Sequence, residues 1–133
     1  MLTWAHGHLK LLGMKILLVG ADREIREERR ELLAASGYEA VAVPPEEVGA
    51  VLADTQFSCL VLGSSLGEYL ASDLAAHFCA FGAPRFVIRV AEDPPAPGYP
   101  YADIVVNPRN PAALLGAVKA LEIRSRQPDW IRP

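Results

Sequence analysis

The fold of this chain is decided by residues 14–22, MKILLVGAD. Residues 16–19 form an uninterrupted apolar run, which is typical of a parallel strand that is covered on both faces. Gly20 lets the backbone turn after the strand, and Asp22 is placed to cap a helix that follows. The loop after such a strand borders the ligand site in open α/β sheets, so function is expected near Gly20 and Ala21.

Length and composition predict one cytoplasmic globular domain. The chain has 133 residues, of which 51% are hydrophobic, and this is enough to bury a core without disulfides. Its net charge of −3 argues against a nucleic-acid-binding face. The leucine-rich start is broken by Lys10 and Lys15, so it predicts neither a membrane span nor a signal peptide. Cys59 and Cys79 are both predicted to be buried, reduced thiols.

Strands and helices alternate along the rest of the chain. Further strands are predicted at residues 38–43, 57–62, 86–90 and 103–106. Helices are predicted at residues 23–36, from Pro45, at residues 66–78 and from Pro111. This alternation implies a parallel sheet with right-handed crossovers. We therefore expect a single three-layer α/β domain with a five-stranded, flavodoxin-like sheet in the order 2-1-3-4-5.

Two of these helices carry patterns that predict which side chains are buried. The first contains the charged run DREIREERRE at residues 22–31, whose alternating signs allow several i,i+4 ion pairs. A solvated face is expected for this run, with Ile25, Leu32 and Leu33 turned inward. The third helix has leucines at positions 66, 70 and 74, followed by Phe78, and this row is predicted to face the core.

The motifs of this chain resemble those of the receiver domain of bacterial response regulators. The matching stretches follow the order and spacing of that family. They are ILLVGAD at the first strand, ELLAASGYEAVAV across the first helix and second strand, FSCLVLG at the third strand and VVNPRNPAALLGAVKAL at the end. The resemblance implies a CheY-like domain at residues 14–123, an N-terminal extension at residues 1–13 and a C-terminal tail at residues 124–133.

The resemblance also assigns an active site, and this chain departs from the family at each of its positions. The family uses two acidic residues for a magnesium ion, a phosphoacceptor aspartate, a hydroxyl residue and a lysine. These positions fall on Gly20, Ala21, Gly63 (with Ser64 beside it), Val90 and Asn107. The carboxylates that a divalent cation needs are missing. We therefore expect no metal, no cofactor and no aspartyl-phosphate chemistry.

A proline-rich segment stands where the family places its fourth helix. Residues 91–101, AEDPPAPGYPY, contain four prolines and a glycine and are not expected to hold a helix. Tyr99 and Tyr101 in this segment and Trp130 in the tail are candidate interface residues, since large aromatic side chains often carry binding energy. The alternative is that the segment only covers apolar surface left by the missing helix.

Three classes of function are open on the sequence alone. The first is a pseudo-receiver, a non-enzymatic and phosphorylation-independent signalling module that binds a protein partner or a second copy of itself; a vestigial domain is its weaker form. The second is a small-molecule or anion pocket formed by Gly20, Ser64, Ser65, Arg89 and Asn107, with Arg89 either supplying the cation or pointing away. The third, a hydrolase or transferase, lacks a recognisable nucleophile–base pair.

Overall fold

The computed structural model describes residues 14–80, 85–92 and 99–126, and it has the predicted order of strands and helices. The strands are β1 (Lys15–Val19), β2 (Glu39–Val43), β3 (Cys59–Leu62), β4 (Phe86–Val90) and β5 (Ile104–Val106). The helices are α1 (Arg23–Ala35), α2 (Val48–Asp54), α3 (Glu68–Cys79) and α4 (Pro111–Ser125), with a 3-10 turn at Pro45–Glu47 before α2. No helix in the described ranges is long and apolar enough to cross a membrane.

The five strands form one parallel sheet in the predicted order β2-β1-β3-β4-β5. Strand β1 takes an interior position because its side chains are apolar on both faces, and residues 16–19 are at most 2% exposed. Leu17 of β1 lies beside Val41 of β2 and Leu60 of β3. Since all strands run in the same direction, the loops that follow them meet at one edge of the sheet.

Helices cover both faces of the sheet and give the domain three layers, as expected. On one face, Ile16 and Leu18 of β1 belong to a core cluster that includes residues of α1 and α4. On the opposite face, Leu17 and Val19 belong to a second cluster with residues of α2 and α3. Burial of a side chain of this size contributes about 1.5–3 kcal/mol. The alternation of side chains along β1 therefore ties both cores to one strand.

Helix α1 begins and ends as the sequence predicts. Oδ1 of Asp22 accepts hydrogen bonds from the backbone N–H groups of Glu24 at 2.9 Å and Ile25 at 3.2 Å, which caps the helix. Gly37 has a φ of +94°, and its N–H donates to the carbonyl of Ala34 at 3.0 Å. This left-handed conformation favours glycine and turns the chain into β2.

The face predicted for α3 is wrong in part. The helix begins at Glu68 and buries Ala71, Ala75 and Phe78, whereas Leu70 is 40% exposed. The buried positions are spaced i, i+4 and i+7, as in one helical stripe. Leu66 is buried and Leu74 packs partly buried against the same core cluster, so the predicted row is wrong only at Leu70.

The two cysteines lie in different environments. Cys59 in β3 is fully buried, as predicted, and burial raises the pKa of its thiol. Cys79 is the last residue of α3 and is exposed, so the prediction that it is buried is wrong. The reason is helical phase, because the neighbouring Phe78 takes the core-facing position.

The connection between β4 and β5 contains no helix in the residues that the structure describes there, namely 91–92 and 99–103. Residues 93–98 lie outside the described ranges, as do the extension at residues 1–13 and Trp130. Tyr101 and Ala102 pack against the core cluster on the α2–α3 face of the sheet. The end of the connection therefore covers apolar surface next to β4 and β5.

Candidate functional site

The five positions assigned by resemblance lie along the carboxyl edge of the sheet. Gly20 and Ala21 follow β1, Gly63 follows β3, Val90 ends β4 and Asn107 follows β5. The N–H of Gly63 donates to the carbonyl of the last residue of β1 at 2.8 Å, so the first and third strands stay in register up to this point. The groups carried by these positions decide what chemistry the edge can perform.

Gly63 has little room for a side chain. A Cβ atom on Gly63 would lie 3.1 Å from the backbone oxygen of Val19, 3.3 Å from Nη1 of Arg29 and 3.4 Å from Cα of Gly20. These distances are shorter than the optimal separation of non-bonded heavy atoms, about 3.5–4.0 Å. The place where a phosphoacceptor side chain would begin is therefore bordered closely by the end of β1 and by an arginine.

Two arginines of α1 border this edge. Nη1 of Arg26 donates to the carbonyl of Gly20 at 3.0 Å, and Arg29 approaches Gly63. The carboxylate of Asp22 caps α1. Magnesium binds hard oxygen ligands such as carboxylates, and among the described residues no group of three or more His, Cys, Asp or Glu could hold a metal ion. The residues at this edge therefore do not fit magnesium.

A cavity of about 490 Å³ opens beside this edge, between α1 and α4. Its apolar floor comprises Ile25, Leu32, Val90, Val106 and Leu114. Its polar rim comprises Glu28, Arg29, Ser64, Glu92, Asn107, Arg109 and Asn110. Ser64 and Asn107 of the sequence-predicted pocket line this cavity. Gly20, Ser65 and Arg89 do not line it, and Oγ of Ser65 instead accepts a hydrogen bond from the N–H of Ala21 at 3.3 Å.

Arg29 is the cavity residue that the sequence analysis did not single out. Its side chain is half-buried and makes no hydrogen bond or ion pair with another described residue. Burial lowers the pKa of the guanidinium, and the charge of neighbouring Glu28 partly opposes this. A signal was present in the sequence, because Arg29 is spaced i+4 from Ile25 and i−3 from Leu32 and thus lies on the stripe predicted to face inward.

Arg109 and Glu92 of the rim are paired with each other. Nη2 of Arg109 lies 2.8 Å from Oε1 of Glu92, in an ion pair that is largely exposed. Oδ1 of Asn107 accepts a hydrogen bond from the backbone N–H of Arg109 at 2.8 Å, which shapes the turn into α4. Asn110 stands before α4 but its side chain forms no capping bond. The cavity therefore has one arginine whose hydrogen-bonding capacity is unused.

Arg89 serves the opposite face of the sheet. It is 4% exposed, and it donates from Nη1 to the carbonyl of Gly63 at 2.6 Å and from Nη2 to the carbonyl of Leu66 at 2.7 Å. Its guanidinium lies 5.4 Å from the ring centroid of Tyr99, and its Nε lies 3.8 Å from Oε1 of Glu68. The side chain thus points away from the cavity and holds the β3–α3 loop on β4.

Tyr99 and Tyr101, predicted as interface residues, make contacts within the domain. Their rings meet edge to face with centroids 5.9 Å apart. The hydroxyl of Tyr101 donates to Oε1 of Glu68 at 2.9 Å, and burial together with this carboxylate raises the pKa of the phenol. These contacts support the interpretation that the segment covers apolar surface, although both side chains remain half-exposed.

Comparison with solved structures identifies the fold. A CheY-like receiver domain from Methylobacillus flagellatus superimposes with a TM-score of 0.70 at 16% identity, covering 82% of this chain and 98% of that chain. A CheY-like receiver domain from Methanospirillum hungatei gives 0.67 at 20% identity, covering 85% and 96%. The response regulator TrrA from Thermotoga maritima, in complex with Mg²⁺ and BeF, gives 0.68 at 21% identity, covering 81% and 98%. No protein-family model and no curated protein matches this chain.

The chain therefore has the fold of CheY-like response regulator receiver domains over most of its length. The identities are low, so the likeness establishes architecture, and the site has to be judged on its own residues. At the carboxyl edge these are two glycines, an alanine, a valine and an asparagine, bordered by arginines.

Proposed function

We propose that this chain is a receiver-like signalling domain that has lost aspartyl-phosphate chemistry and acts as a phosphorylation-independent protein-interaction module. The similar solved structures are response regulator receiver domains, and they supply the signalling context. The observation that carries the loss of chemistry is Gly63, which has no carboxyl group and close neighbours around its Cα. A fold that keeps its core without the reactive groups serves most simply as a non-enzymatic binding scaffold.

The partner of this module is proposed to be a protein or a second copy of the chain, in the cytoplasm. Tyr99 and Tyr101 are half-exposed and already ordered by Arg89 and Glu68, so contact with a partner costs less conformational entropy than it would for free side chains. Trp130, which lies outside the described residues, remains a candidate interface residue on the sequence alone. The net charge of −3 disfavours nucleic acid as the partner.

The proposal predicts that the chain neither binds magnesium specifically nor accepts a phosphoryl group. The full chain is incubated with acetyl phosphate and magnesium and then examined by intact-protein mass spectrometry, with an active receiver domain treated in parallel. No phosphorylated species is expected, because the acid pair and the phosphoacceptor are replaced by Gly20, Ala21 and Gly63. A magnesium-dependent adduct of one phosphoryl group would contradict the proposal.

A further inference from the structure

We propose that the cavity between α1 and α4 binds a small organic monocarboxylate with an apolar body, and that Arg29 holds its carboxylate. This inference does not depend on the proposed protein-interaction role. It rests on the cavity, on the guanidinium of Arg29 at its rim and on the pairing of Arg109 with Glu92 there.

The unused guanidinium of Arg29 selects an anionic group. A guanidinium has five N–H donors in a planar fork and no acceptor, so only an acceptor can satisfy it. Arg29 is half-buried and has no hydrogen-bond or ion-pair partner among the described residues. Arginine–carboxylate hydrogen bonds are roughly twice as strong as neutral ones and are often bidentate. Ser64 and Asn110 on the same rim carry further donor groups.

The charges around the cavity favour a ligand with one negative charge over a ligand with several. The rim carries two arginines, Arg29 and Arg109, and two glutamates, Glu28 and Glu92. Arg109 is paired with Glu92 at 2.8 Å, whereas Arg29 interacts electrostatically with Glu28 but forms no ion pair with it, so the guanidinium of Arg29 is the one that can bind a ligand. Both glutamate carboxylates repel a polyanion such as a nucleoside triphosphate. These four side chains sum to zero charge, so a monocarboxylate adds one net negative charge to the site, whereas a polyanion adds more.

The floor and the volume of the cavity select the rest of the ligand. The floor is built from aliphatic side chains, including Val90 and Val106 at the ends of adjacent strands. The volume of about 490 Å³ lies within the range of about 300–1,000 Å³ that is usual for small-molecule sites. It is several times the roughly 150 Å³ that suffices for benzene. The cavity thus has room for an aromatic or branched aliphatic body.

Benzoate is the probe for this site, and benzamide is its neutral isostere. Each is titrated into the full-length, ¹⁵N-labelled protein and followed by amide chemical shifts. Saturable shifts in the millimolar range are expected for benzoate at Arg29, at Ser64 and along residues 106–110. Benzamide should bind at least tenfold more weakly, because it brings no charge to the guanidinium. Phenyl phosphate should bind more weakly than benzoate, because its second charge faces Glu28 and Glu92.

Variants separate the two parts of the site. Arg29→Gln should weaken benzoate binding at least tenfold, whereas Arg23→Gln, on the exposed first turn of the same helix, should leave it unchanged. Ile25→Ser, at a floor residue that is 42% exposed, should weaken binding severalfold without unfolding the domain. The absence of saturable shifts, equal binding of benzoate and benzamide by the unmodified chain, or equal binding by Arg29→Gln would overturn the inference. Tighter binding of phenyl phosphate would overturn the assignment to a monocarboxylate.

Discussion

At the scale of single residues, Gly63 is notable because the atoms around it leave little room for a side chain at the carboxyl edge of the sheet. We expect Gly63→Ala to lower the free energy of unfolding by about 1–3 kcal/mol, the usual cost of overpacking. The added methyl would lie 3.1 Å from a strand carbonyl that is fixed by hydrogen bonding, and 3.3 Å from Arg29. Urea denaturation followed by circular dichroism measures the change.

Gly116→Ala is the matched control for this prediction. Gly116 lies inside α4, and a Cβ atom there would meet nothing within 4 Å. The substitution should raise the free energy of unfolding by about 0.5–1 kcal/mol, because alanine restricts the unfolded chain and favours helix. If the free energy of unfolding of both variants equalled that of the original chain, the result would contradict the close packing described around Gly63.

For single residues, the sequence was a better guide to the functional groups that the site lacks than to the side chains that it contains. Glycine and alanine at positions 20, 21 and 63 provide no side-chain metal ligand wherever the backbone lies, so that expectation needed no coordinates. The position of Arg29 in the cavity was recognised only in the structure, because a charged run on a helix is usually solvated. In the sequence, only its spacing from Ile25 and Leu32 distinguished Arg29 from the other charged residues of the run. The direction of Arg89 also depended on which face of β4 it occupies.

At the scale of the structural elements, the connection from β4 to β5 allows a sharp test of whether its tyrosines stabilise the domain. Replacing Tyr99 and Tyr101 together with serine should lower the melting temperature by several degrees. The reason is the loss of the Tyr101–Glu68 hydrogen bond, of the ring over Arg89 and of packing on the α2–α3 face. Differential scanning calorimetry gives the melting temperature, and sedimentation velocity gives the association state of the same samples.

Tyr69→Ser is the control for this pair, since Tyr69 is 85% exposed and its loss should not change the melting temperature. An unchanged melting temperature in the double variant would contradict the packing described for the two tyrosines. Self-association that falls in the double variant but not in Tyr69→Ser would support the proposed interface.

The elements themselves were predictable because buried strands and turn residues are local signals. Runs such as residues 16–19 have no polar face, and the prolines in residues 91–101 predict that no helix forms there. The buried face of α3 was not predictable in the same way. An i, i+4 row drifts around a helix of about 3.6 residues per turn, so Leu70 lies off the buried stripe that contains Ala71, Ala75 and Phe78.

At the scale of the whole molecule, a side-chain hydrogen bond joins the residue before β2 to the last helix. The hydroxyl of Tyr38 donates to Oε1 of Glu122 at 2.8 Å, and burial with this carboxylate raises the pKa of the phenol from 10.0 to about 12. A raised pKa means that the folded state holds the proton more tightly. The stabilisation is therefore complete below pH 10 and is lost as the pH rises to about 12.

Tyr38→Phe tests this linkage. At neutral pH the variant should be less stable by about 0.5–1.5 kcal/mol, the usual contribution of one hydrogen bond. The difference between the two proteins should narrow between pH 10 and pH 12, as measured by urea denaturation at a series of pH values. A difference that stays constant over this range would show that the phenol does not titrate as described.

The guanidinium beside Gly63 has a consequence for how the site can evolve. A single substitution of Gly63 to aspartate would place a carboxylate against Arg29, 3.3 Å from the new Cβ, and the two would form an ion pair. That carboxylate would be held by a cation and would still lack the acid pair for magnesium. An aspartate at position 63 alone is therefore not expected to accept a phosphoryl group; carboxylates at positions 20 and 21 and a different residue at position 29 would be needed as well.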